Sequence, residues 1–178
     1  MRSSLMRRDP LLLAARLVVS AGIALFSILL IFLLIGLVVV LTSDRDTVLA
    51  KLELASAGSS AYGLMLAAQV LLFVLFSFCL MFARNLLRIV GSVEHGDPFT
   101  SANADRLSRM GWLNLAIQGM LFLLAAIGIG LGTMKGALLA EDAINLGCVA
   151  VVLTLVLFIL ARVFRRGTEM RDELEGTV

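Results

Sequence analysis

Charge is what this sequence has least of: 16% of its residues are Asp, Glu, Lys or Arg, where soluble domains carry about a quarter. The net charge of +2 is too small to suggest nucleic-acid binding. The two cysteines, Cys79 and Cys148, sit inside apolar runs, and their spacing matches no zinc or redox motif. The single histidine, His95, has only Glu94 and Asp97 beside it. Three adjacent loop residues make a poor metal site, so no metal, cofactor or catalytic cluster is expected and the chain does not read as an enzyme.

What it has in excess is hydrophobic residues, 60% of the chain, gathered into four runs over about 17–42, 61–83, 111–132 and 145–164. A bilayer core of about 30 Å takes roughly 20 helical residues. Each run suffices, and backbone in lipid must satisfy its hydrogen bonds internally, which predicts helices. The first run is far longer than a signal peptide's apolar stretch of about 7–15 residues and is expected to stay as a span. The expected fold is an all-α integral membrane protein: a single four-span domain over 1–178, with a helical hairpin at 84–110 between helices 2 and 3 and a helical tail at 165–178.

Orientation follows from the basic residues. Arg2, Arg7, Arg8, Arg16, Arg84, Arg88, Arg106, Arg109, Arg162, Arg165, Arg166 and Arg171 fall on one side; Arg45, Lys51 and Lys135 fall on the other. By the positive-inside rule both termini and the hairpin are expected in the cytoplasm. Cys79 then lies near the inner end of its span and Cys148 near the outer end of another. They are about 20 Å apart in depth, too far for a disulfide, whose alpha carbons lie within about 7 Å.

No Asp, Glu, Lys or His lies within a span, which argues against proton-coupled transport. The polar residues at depth are Gln69, Asn114 and Gln118. Such amides commonly bond between helices; a pore or polar ligand site is the sharper alternative. Gly128, Gly132 and Gly136 repeat at four-residue spacing, the small-xxx-small pattern of close helix packing, either within the chain or in a homo-oligomer.

The polar stretch "HGDPFTSANADRL" reads as the tip of the hairpin. Leu86, Leu87, Val90 and Val93 keep helical spacing beyond span two. Gly96 is placed to stop that helix, with Pro98 just beyond. Thr100 or Ser101 can cap the next, and Phe99 could staple its start. Trp112 falls at the membrane boundary. In the tail, Arg165 and Arg166 are placed to meet anionic headgroups, and Met170 and Leu174 form one thin apolar edge.

"GDPFTSANADRLSRMG" resembles the loop signature of a bacterial four-span membrane family, domain of unknown function 2975, through Gly96, Pro98, Phe99, Asn103, Leu107 and Gly111. The arginine-rich exit from span four and the acidic tail are also similar. The resemblance implies a bacterial cytoplasmic membrane and no established activity. By analogy it implies a membrane partner for a small helix-turn-helix regulator.

The leading expectation is an interaction or regulatory protein that binds the bilayer and docks a cytoplasmic protein, without itself binding nucleic acid. Gly96, Asp97, Pro98, Phe99, Asn103, Leu107, Met170 and Leu174 are the expected docking residues. Gly128, Gly132, Gly136, Asn114 and Gln118 are the expected packing residues. A small oligomeric transporter or channel is the alternative.

Overall fold

The computed structural model describes residues 10–44, 47–48, 61–94, 98–131 and 136–175. Four helices carry the architecture: α1, Pro10–Thr42; α2, Ala61–Glu94; α3, Ser101–Gly130; and α4, Gly136–Glu175. All four contain stretches long and apolar enough to cross a membrane. Each also outruns the bilayer. α4, with 40 residues, is about 60 Å long, twice the hydrocarbon thickness of about 30 Å.

The helices begin and end for local reasons. Pro10 opens α1 where its missing N–H costs nothing. α2 continues to Glu94, so the second helix does extend past its apolar run. Thr100, in extended conformation at φ −118° and ψ 148°, caps α3 and accepts a hydrogen bond from the Asn103 N–H. Along the spans, the hydroxyls of Ser27, Thr42, Ser77 and Thr154 donate to carbonyls one turn back, so these four protons do not face lipid unbonded.

α1 packs on α2, α2 on α3, and α3 on α4; no other pair makes a comparable contact among the described residues. An amide bridges each of two pairs at depth. Gln69 Nε2 of α2 donates to Leu33 O of α1 at 2.9 Å, and Gly36 leaves room for it, since a Cβ there would stand 3.2 Å from Nε2. Asn114 Nδ2 of α3 donates to Ala150 O and Thr154 Oγ1 of α4 at 2.9 and 2.8 Å. Gln118 stands beside Gly147 of α4.

The glycine stripe is not one helix face. Gly128 is buried in α3, but that helix ends at Gly130 with Leu131 as its C-cap, and Gly136 opens α4. Gly132, like His95, Gly96 and Asp97, lies outside the described residues.

The core is off centre. Leu107, Met110, Leu157 and Ala161 form its buried cluster, with Phe82, Leu86, Ile89 and Phe164 packed against it. These residues come from the end of α2, the start of α3 and the second half of α4. The best-packed part of the protein is therefore its arginine-rich end.

Candidate functional site

The described part of the connection between α2 and α3, residues 98–100, is fixed by Asn103. This side chain is 0% exposed, and a buried amide is tolerated only when its groups are bonded. Its Nδ2 donates to Ser92 Oγ at 2.6 Å and to Pro98 O at 2.8 Å; its Oδ1 accepts from Arg106 Nη1 at 2.7 Å. Ser92 Oγ in turn donates to Ile89 O. One residue thus joins the last turn of α2, the loop, and the first turn of α3.

Phe99 carries the loop to a distant element. Its ring lies 5.0 Å from that of Phe164 on α4, tilted by 41°. It also rests over Gly167, where an added Cβ would come within 2.9 Å of the ring. This contact with α4 comes in addition to the role expected for Phe99 at the start of its own helix. Its other edge faces outward, leaving the residue 44% exposed. Asp105 Oδ1 accepts from Arg165 Nη2 at 3.2 Å, and Glu94 Oε2 from Arg16 Nη1 at 3.0 Å. Exposed pairs of this kind contribute about 0–1 kcal/mol each, so they set register more than stability.

A second ring-over-glycine contact lies one level deeper. Phe158 of α4 covers Gly111 of α3, where a Cβ would meet the ring at 2.9 Å. Trp112 presents an edge to the same ring, with centroids 5.6 Å apart and planes at 72°. Trp112 is 65% exposed, as befits an indole at a membrane boundary.

The residues expected to dock a partner therefore divide. Asn103 and Leu107 are buried within the chain and present no surface; with Gly111 they hold the loop and α3 to α2 and α4. Pro98 is half-buried. The outward edge of Phe99, together with Ser101, Ala102, Asp105 and Met170, is exposed. Gly96, Asp97 and the side chain of Leu174 lie outside the described residues. Sequence reasoning missed Phe164, Gly167 and Ser92. The signal for Gly167 was there: a glycine inside a helical pattern marks a close approach, though not what approaches.

Among the described residues, no three His, Cys, Asp or Glu side chains converge. The arrangement is a shaped surface held rigidly at the end of a membrane bundle. The chain matches no curated protein and no solved structure. The chain belongs to the family described as protein of unknown function (DUF2975), whose model matches residues 48–178 and so takes in α2, α3, α4 and the loop between α2 and α3.

Proposed function

We propose that this is an interaction or regulatory protein of a bacterial inner membrane, with both termini cytoplasmic, that docks a cytoplasmic protein on the platform made by the α2–α3 loop and the outer part of α4. The observation that carries the reading is Phe99: one face is fixed on Phe164 and Gly167, and the rest is exposed. A loop locked to a helix from the far end of the chain is a preorganised surface, which lowers the ordering cost of binding. The cytoplasmic placement rests on the sequence, where twelve arginines flank the spans on the side of this loop and tail against three basic residues on the other. A small helix-turn-helix regulator is the partner that the family resemblance implies. The transporter reading gains no support from the spans, where Gln69 and Asn114 spend their amide protons on neighbouring helices.

The test is a photo-crosslinking residue placed at Ala102 or at Met170 in the native membrane, with lipid-facing Leu153 as the control. The same cytoplasmic protein is expected from the first two positions and not from the third. With that protein purified, Met170→Glu should weaken binding about tenfold or more at unchanged thermal stability, since a buried apolar side chain contributes about 1.5–3 kcal/mol. Full recovery of that partner by a chain with residues 95–103 replaced by a Gly/Ser linker would end the docking reading.

A further inference from the structure

Beside the platform, a recess of about 410 Å³ opens between α3 and α4. Its lining comes from α4 through Phe158, Ala161, Arg162, Arg165, Arg166 and Glu169, and from α3 through Ser108. Positions 162, 165, 166 and 169 fall on one side of α4 at the i, i+3, i+4, i+7 spacing of a helix face.

We propose that this recess binds the phosphate of an anionic phospholipid from the leaflet that meets the arginine-rich end. Three observations converge on it. Three guanidinium groups against Glu169 in the lining and Asp105 beside it, which pairs with Arg165, leave an excess of one positive charge, and guanidinium groups stay protonated and pair with phosphate oxygens in a fork geometry. The lining changes from apolar to cationic along α4, as a phospholipid changes from acyl chain to phosphate. And Phe158, the first apolar residue of the lining along α4, touches Trp112, the exposed indole that marks the boundary between these two zones. Arg165 is held toward the recess by Asp105 of α3, and the Ser108 hydroxyl adds a neutral donor. Basic pockets between membrane helices at this depth recognise phosphorylated headgroups.

Trp112 is the chain's one tryptophan and reports on the recess through its contact with the lining residue Phe158. The full-length protein is placed in nanodiscs of phosphatidylcholine containing a minor fraction of lipid brominated on its acyl chains, either phosphatidylglycerol or phosphatidylcholine. Brominated phosphatidylglycerol should quench Trp112 at several-fold lower mole fraction than brominated phosphatidylcholine. Each arginine near the surface contributes about fivefold in association, so removing two of them, with Arg162→Gln and Arg166→Gln, should abolish this several-fold preference. Glu169→Gln should raise it. Arg84→Gln with Arg88→Gln on α2 removes the same charge from the same end outside the recess and should leave the preference intact. Equal quenching by the two lipids in the unaltered chain would overturn the proposal. So would an equal loss from both arginine pairs, which would mean a diffuse surface potential. Millimolar inorganic phosphate in a third arm should not abolish the preference; if it does, the site takes a free anion and the lipid assignment falls. Circular dichroism and gel filtration of each variant confirm that the quenching compares folded proteins.

Discussion

Gly111 has no side chain, and the Phe158 ring occupies the space one would fill. A methyl group there would stand 2.9 Å from two ring atoms, closer than real contacts allow. An alanine gains about 1 kcal/mol of helix propensity over glycine, while forcing an extra carbon into a packed interface takes away about 1–3 kcal/mol. The clash wins because a ring that moves aside also gives up its edge contact with Trp112. Gly111→Ala should therefore lower the thermal midpoint in detergent, and Phe158→Leu in the same chain should recover part of the loss. Gly91→Ala is the internal control: apart from its chain neighbours and its own helix backbone, nothing described lies within 4 Å of the position its Cβ would take, so its midpoint should hold or rise. Equal effects at Gly91 and Gly111 would show that helix propensity, not the ring contact, decides.

At the level of elements, what could be read from the sequence was what repeats or punctuates locally. The four apolar runs located the spans, and Thr100 marked the start of α3, because hydropathy and capping are properties of neighbouring residues. The true helices are longer than the runs. Pro10 replaces Leu17 as the start of α1, and α4 reaches from Gly136 to Glu175, since a helix need not stop where the membrane does. The contacts that shape the candidate site were not legible. Phe99 meets Phe164 and Gly167 across more than sixty residues of chain, and no periodicity encodes that meeting. The same physics gives a test of the loop's attachment. Aromatic pairs contribute about 0.5–1.5 kcal/mol beyond burial, and Gly167→Val would push the Phe99 ring away by occupying its seat. Amide hydrogen exchange over residues 98–104 should quicken by about tenfold in Gly167→Val and in Phe99→Ala alike, with α1 unaffected. Unchanged protection in both variants would mean that Asn103 alone holds the loop.

Taken whole, the molecule is a row of helices with its weight at one end of the row. The buried cluster Leu107, Met110, Leu157 and Ala161 belongs to α3 and α4, and α2 packs against it through Phe82, Leu86 and Ile89. α1 contributes no buried residue. It holds to α2 through the Gln69 amide, the Tyr62 hydroxyl on Val40 O at 3.2 Å, the Phe26–Phe76 contact at 6.1 Å and the exposed Arg16–Glu94 pair. Interhelical hydrogen bonds in membranes contribute about 0.6–2 kcal/mol each, and lipid competes well for the apolar faces, so α1 should be the separable element. A protease site placed between residues 49 and 60, cut after the whole chain has inserted, tests this without disturbing topology. In mild detergent α1 should remain bound to the α2–α4 fragment. With Gln69→Leu and Tyr62→Phe it should dissociate, because both hydrogen bonds to α1 carbonyls are gone. The remaining fragment should keep its thermal midpoint within a few degrees, since the core it buries never included α1. If removing α1 instead collapses that fragment's unfolding transition, the α1–α2 contact supports the core through packing that the burial pattern does not express, and the division into a three-helix core and a peripheral first span is wrong.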